Sequence, residues 1–71
     1  MASFKPREVV SILKKLGFVE KRQTGSHLMM YHPGKNKIIP VPIHAKDVKH
    51  GLLKGIIKQA KSTEKEFLDL K

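Results

Sequence analysis

The sequence contains no cysteine and no tryptophan, and it has a single tyrosine. Without cysteine there are no disulfides and no thiolate metal ligands, which is the cysteine usage expected in a reducing cytosol. The apolar runs are too short to cross a bilayer, and residues 1–5 lack the apolar segment of a signal peptide. We therefore expect a cytoplasmic protein without a membrane partner, whose fold depends on side-chain packing.

Negative charge is also scarce in this chain. Lysine and arginine number 15 against 6 aspartate and glutamate residues, which gives a formal net charge of +9 and an isoelectric point near 10.1. Such an excess attracts phosphates, and it would also attract anionic lipid or an acidic protein. The charge therefore favours a nucleic acid as partner without selecting it.

The chain is short. Its 71 residues are expected to form one domain, residues 1–71, and a domain of this size buries only about 60% of the surface that its unfolded chain exposes. A large enclosed pocket for a small-molecule cofactor is therefore not expected, and no cofactor is predicted. An outer face that binds a polymer is the better fit.

Two segments show the apolar spacing of amphipathic helices. The first begins at Pro6, which a first turn tolerates, and ends at Gly17, which favours the left-handed conformation that closes helices. The second follows Asp47, a candidate N-cap. Near the C-terminus, Thr63 followed by Glu66 matches a capping box and predicts a short final helix.

Three segments between these helices predict β-strands. Residues 18–24 and 28–32 flank a Gly-Ser turn, and residues 37–43 follow a Pro-Gly turn. Pro40 and Pro42 cannot donate to a ladder, so at least part of the third strand should lie at a sheet edge or have its N–H side free. The predicted fold is α+β, with a helix, a three-stranded antiparallel sheet, a helix and a short C-terminal helix. This is the architecture of a double-stranded RNA-binding domain.

Histidine exchanges protons most readily near neutral pH, and the sequence has four: His27, His32, His44 and His50. His27 and His32 are five residues apart, which places them on opposite faces of one strand, and the few acidic residues form no ligand cluster with a histidine. Ser26 lacks a nucleophile elbow and an orienting acid nearby in sequence. The pattern predicts neither a metal site nor a serine hydrolase.

Short motifs along nearly the whole chain resemble those of one family. In chain order they are Leu-Gly-Phe at 16–18, Gly-Ser-His at 25–27, Val-Pro-Ile-His at 41–44, Gly-Leu-Leu at 51–53, Ile-Lys-Gln-Ala at 57–60 and Thr-Glu-Lys-Glu-Phe-Leu at 63–68. Their order and spacing resemble the HicA mRNA interferase toxins, also called YcfA-like proteins. The chain departs from that pattern at Leu52, where the family commonly has threonine, and at Pro40, which would shorten the third strand.

The resemblance implies the toxin of a type II toxin–antitoxin system. Such a toxin has a fold like that of a double-stranded RNA-binding domain, cleaves mRNA and is neutralised by a HicB-type antitoxin. The resemblance also implies that the histidine of the Gly-Ser-His motif is catalytic, and in this sequence that histidine is His27. The expected partners are therefore mRNA and a HicB-type antitoxin protein.

Metal-free RNA cleavage at His27 is chemically reasonable. RNA carries its own nucleophile, the 2′-hydroxyl. To cleave it, a protein needs one well-positioned proton acceptor and a positively charged side chain close to the phosphate. His27 is the predicted general base or acid, after a turn where Gly25 allows close backbone approach. His44 and Tyr31 both remain open as the second member of the acid and base pair.

Candidate RNA contacts fall on the strand before His27, in the turn between them, and around the start of the second helix, where a double-stranded RNA-binding domain places phosphate-contacting lysines. These residues are Lys21, Arg22, Gly25, Ser26, Lys46, Lys49 and Lys54. An ordinary solvated polar face is the alternative for the three lysines of the second helix.

Two other classes of function stay open at this point. One is a non-catalytic RNA-binding module of the double-stranded RNA-binding-domain type, and the other is a protein that mainly assembles with a partner, such as a repressor complex. A nuclease should lose cleavage and keep RNA binding when His27 is replaced by alanine. A binding module has no cleavage to lose, and an assembly protein should bind its partner strongly while its binding to nucleic acid is lost as salt rises.

Overall fold

The structure is a computed structural model that describes residues 3–71, so Met1 and Ala2 of the predicted domain lie outside the described residues. In chain order its elements are α1 (Pro6–Lys15), β1 (Val19–Thr24), β2 (His27–His32), β3 (Lys37–Pro42), α2 (His50–Gln59) and α3 (Glu64–Leu70). The strands form one antiparallel sheet in the order β1-β2-β3. The predicted α+β layout, like that of a double-stranded RNA-binding domain, is confirmed.

The C-terminus of α1 confirms the role predicted for Gly17. This glycine has a φ of 98°, and its N–H donates to the Lys14 carbonyl at 3.0 Å. The Phe18 N–H donates to the Leu13 carbonyl at 2.9 Å, which completes a Schellman motif. Leu13 and Phe18 are both buried, so the same turn that ends α1 aims the chain into β1.

The core lies between the helices and one face of the sheet. Met30 from β2 and Ile39 and Val41 from β3 are fully buried there, and both α1 and α2 pack against β3. At the far end of this core Phe67 from α3 packs edge-to-face on Phe4, with ring centroids 6.1 Å apart. The predicted covering of one sheet face by both long helices is therefore confirmed, while the prediction of a single domain over residues 1–71 stays a prediction.

The start of α2 differs from the prediction. Asp47 is not the N-cap, because α2 begins at His50 with Lys49 in the capping position. The Val48 side chain is buried and its N–H donates to the Phe4 carbonyl at 2.8 Å. This anchor holds the chain extended through Lys49, so the helix begins later than the candidate cap implied.

The predicted cap of α3 is confirmed in part. The Thr63 hydroxyl accepts a hydrogen bond from the Glu66 N–H at 3.1 Å, as an N-cap should. A capping box would also pair the Glu66 carboxylate with the Thr63 backbone N–H. In the structure this carboxylate instead accepts a hydrogen bond from the Ser62 hydroxyl.

Both prolines of β3 lie at a free edge of the sheet, as predicted. The Ile43 N–H donates to the Ser26 carbonyl at 2.9 Å, so the odd-numbered positions of this segment turn their N–H groups towards β2. The positions of Pro40 and Pro42 face outwards, where no N–H is needed. The strand keeps 6 residues, so Pro40 does not shorten it.

Gly17→Ala is expected to lower the free energy of unfolding by about 1–3 kcal/mol. Alanine would be held at a φ of 98°, and its Cβ would lie 2.8 Å from Nε2 of His32. Gly55→Ala is the matched control, because a Cβ there meets no atom within 4 Å inside α2 and should stabilise the helix by up to about 1 kcal/mol. Urea unfolding measures both changes, and an unchanged stability for Gly17→Ala would contradict this account.

Candidate functional site

Cross-strand pairing divides the sheet residues between the face covered by helices and an open face. Met30 is fully buried, so its neighbours on β2 point to the opposite side. From one end of the sheet to the other, the rows of this open face are Thr24-His27-Pro42, Arg22-Met29-Pro40 and Val19-Tyr31-Ile38. The open face therefore carries the candidate histidine, an arginine and the protein's one tyrosine together.

His27 is the first residue of β2 and its side chain is exposed. Within residues 3–71 the side-chain hydrogen bonds do not include its imidazole ring. Both ring nitrogens are therefore free to exchange hydrogen bonds with a bound molecule. An exposed imidazole with no structural partner can accept a proton on one nitrogen, which is the requirement for a general base.

The turn before His27 is held by the backbone. Gly25 has a φ of 59°, a left-handed conformation that glycine adopts without strain. Its carbonyl accepts a hydrogen bond from the Gln23 side chain at 3.3 Å, and the Ser26 carbonyl accepts one from the N–H of Ile43, the residue after β3. A Cβ placed at Gly25 would meet nothing within 4 Å, so the turn conformation, rather than a close approach by another part of the chain, explains this glycine.

A β-bulge in β1 places two consecutive cations on the open face. The pairing register shifts between Glu20, which faces Met30, and Arg22, which faces Met29, and this leaves Lys21 as the extra residue. The Lys21 ammonium lies 4.8 Å from the centroid of the Tyr31 ring, which belongs to the open face. Regular alternation would have sent one of the two cations to the other side of the sheet.

The bulge also separates the two cations along the face. Arg22 lies in the row next to His27, whereas the Lys21 ammonium lies over the Tyr31 ring. Tyr31 is four residues from His27 along β2, which corresponds to about 13 Å between their Cα atoms. From the sequence, both cations are predicted as RNA contacts on the strand before His27, without a distinction between them. The bulge, which has no local signal in the sequence, places them in different rows.

The two candidates for a second acid or base differ in position. Tyr31 lies four residues from His27, and its hydroxyl is 3.4 Å from the Asn36 side chain in the turn at the other end of the sheet. His44 is exposed and follows Ile43, which is bonded to the turn before His27. His44 is therefore the better placed of the two.

His32 faces the other side of β2 and has a structural environment. Its ring packs edge-to-face on Phe18, with centroids 5.1 Å apart, and its Nδ1 accepts a hydrogen bond from the Lys35 N–H at 3.1 Å. The prediction that His27 and His32 point to opposite faces is confirmed. Residues 3–71 also contain no cluster of three histidine or acidic side chains placed to hold a metal ion.

The three lysines predicted around the second helix are all exposed. Lys46 lies in the segment that leaves the sheet beside His27, Lys49 caps α2 and Lys54 lies within it. They lie in the segment after β3 and in α2, so they are not on the open face. Within residues 3–71 the helices lack the length and apolar content that crossing a membrane requires.

A groove lies on the helix-covered side of the sheet, between α1 and the exposed strand β1. Apolar Val10, Leu28 and Ile43 contribute to its lining, and the Lys14–Glu20 ion pair, at 2.6 Å, spans from α1 to β1. By the strand register, Leu28 points away from the face that holds His27. This groove is therefore separate from the open face.

One family model matches most of the chain. The model described as the HicA toxin of bacterial toxin-antitoxin matches residues 6–61, which include α1, the whole sheet and α2. No curated protein matches the chain. The matched range contains every residue of the open face.

His27→Ala is expected to change the free energy of unfolding by less than about 0.5 kcal/mol, because the ring is exposed and makes no hydrogen bond within the described part of the chain. His32→Ala should cost about 1–3 kcal/mol, because the Phe18 contact and the acceptor for the Lys35 N–H are both lost. Thermal or urea unfolding of the pair separates the two roles. Comparable destabilisation by the two substitutions would show that His27 is structural.

Proposed function

The chain belongs to the HicA toxin family of bacterial toxin–antitoxin systems, and we propose that it acts as a metal-independent endoribonuclease that cleaves mRNA. His27 is its catalytic residue in this proposal. The observation that supports it best is an exposed imidazole, without a hydrogen-bond partner among residues 3–71, on a sheet face that also carries Arg22. The proposed place of action is the cytoplasm.

The proposed reaction uses the nucleophile of the RNA itself. The 2′-oxygen attacks the adjacent phosphorus while His27 accepts its proton, and the bond from phosphorus to the 5′-oxygen breaks. The leaving 5′-oxygen takes a proton from His44 or from water, and a 2′,3′-cyclic phosphate remains on the other fragment. Positioned acid and base groups contribute about 10²–10⁴-fold in rate, and this step needs no metal ion.

In this proposal Arg22 is the cation that stabilises the phosphate under attack at His27. Charge develops on the non-bridging oxygens during the attack, and a guanidinium donates two hydrogen bonds to such a group. By the pairing register Arg22 is one row from His27. Gly25 and Ser26 form the turn directly before His27, and in this proposal their backbone contacts the RNA there.

Membership of a toxin–antitoxin family implies an antitoxin partner. We propose that this partner is of the HicB type and neutralises the toxin by covering His27. The exposed position of the ring supports that mode, because a protein that contacts the open face would exclude RNA from it. The high positive charge of the toxin favours an acidic surface on that partner.

Cleavage of a labelled single-stranded RNA in EDTA tests the proposal. The unsubstituted protein is expected to cut the RNA and to leave an all-deoxy strand of the same sequence intact, and His27→Ala should lower the rate by about 10²–10⁴-fold. His50→Ala, which removes another exposed histidine, is the matched control and should cut normally. RNA binding without any cleavage by the unsubstituted protein would favour the non-catalytic RNA-binding module instead.

Salt dependence of RNA binding tests the lysines at α2. In the His27→Ala background, Lys49→Gln is expected to weaken binding to all sequences alike and to reduce the slope of log K against log salt by about 0.7. Lys65→Gln is the matched control, because Lys65 lies on α3 and is paired with Asp69 at 3.1 Å. Equal slopes for the two variants would show that Lys49 does not contact the RNA phosphates.

A further inference from the structure

The open face has a composition that catalysis at His27 does not explain. Tyr31 lies in a row between Val19 and Ile38, which are 48% and 44% exposed. The row next to it contributes Met29 and Pro40. An aromatic ring, surrounded by exposed apolar groups and bordered by cations, therefore lies on the same face as the candidate histidine.

The position of Lys21 shows that one side of the Tyr31 ring is accessible. Its ammonium lies 4.8 Å from the ring centroid, so that ring face is covered by a flexible side chain and not by the protein core. A lysine side chain can move aside at little cost, and a planar group could then stack on the ring. The displaced ammonium would remain within reach of a phosphate next to that planar group.

Aromatic rings beside cations are the usual construction of sites that bind single-stranded nucleic acid. Bases stack on the rings and the cations follow the phosphates, and each stacked base contributes to affinity with little regard to sequence. On this face the β-bulge supplies the cations, since it turns both Lys21 and Arg22 to the side of Tyr31 and His27. A duplex could not present its stacked bases to the ring.

We infer that the open face of the sheet is a platform for single-stranded RNA, on which Tyr31 stacks a base a few nucleotides from the phosphate at His27. Lys21 holds a phosphate beside the stacked base, while Arg22, in the row next to His27, contacts the phosphate at His27. The inference rests on the proposed function for its substrate, and it assigns Tyr31 a positioning role in place of an acid or base role.

Intrinsic fluorescence gives a direct test, because Tyr31 is the only tyrosine and the chain has no tryptophan. A ten-nucleotide unstructured RNA would be titrated into the His27→Ala protein, alongside a strand of the same length with abasic residues. Quenching of tyrosine emission that saturates with binding is expected for the RNA, and little quenching for the abasic strand. Unchanged emission at saturating RNA would overturn the platform and leave this face to a protein partner.

Affinity measurements complete the test. Tyr31→Ala in the same background should weaken RNA binding about 5- to 150-fold, while Tyr31→Phe should bind nearly as the parent does. Leu68→Ala, which removes an exposed apolar side chain from α3, is the matched control and should have no effect. Equal affinity for Tyr31→Ala and its parent would also overturn the inference.

The outcomes separate this inference from the proposed function. Cleavage by the unsubstituted protein with unchanged tyrosine emission would remove the platform and keep the nuclease. Quenching by RNA without cleavage by the unsubstituted protein would keep the platform and remove the nuclease. Absence of any RNA binding would overturn both.

Discussion

The pairing of β2 between two edge strands is the constraint on which the rest of the structure depends. Because side chains alternate along a strand, burial of Met30 against the helices commits Met29 and Tyr31, and with them His27, to the opposite face. A shift of one residue in register would bury the histidine and expose the core. The hydrophobic core and the candidate site are therefore specified by the same set of hydrogen bonds.

The two edge strands of the sheet, β1 and β3, are made unsuitable for pairing with a further strand in different ways. On β3, Pro40 and Pro42 remove outward N–H groups, so this edge is a poor template for another strand. On β1 the bulge at Lys21 interrupts the ladder, and its residues are all exposed. The same bulge turns two consecutive cations, Lys21 and Arg22, towards the open face. One irregularity therefore both protects the β1 edge and adds positive charge to the candidate site.

Local signals in the sequence predicted the fold well, because they act over a few residues. Gly17 closes α1 and Thr63 caps α3 as expected. The prediction of Asp47 as a cap was wrong, because the Val48 N–H is hydrogen-bonded to the Phe4 carbonyl, a contact between distant parts of the chain. The site was predicted only as separate residues. Neither the bulge nor the distance between Lys21 and His27 can be obtained from the sequence, since both depend on how β1 pairs with β2.

The central claim is that His27 promotes attack by the RNA 2′-hydroxyl without a metal ion, and the chemistry of the product ends tests it most directly. Fragments from a reaction in EDTA would be analysed by mass spectrometry. The account predicts a 2′,3′-cyclic phosphate on one fragment and a free 5′-hydroxyl on the other, and neither product should form with His27→Ala. Fragments that end in a 3′-hydroxyl and a 5′-phosphate would show attack by water and contradict the account.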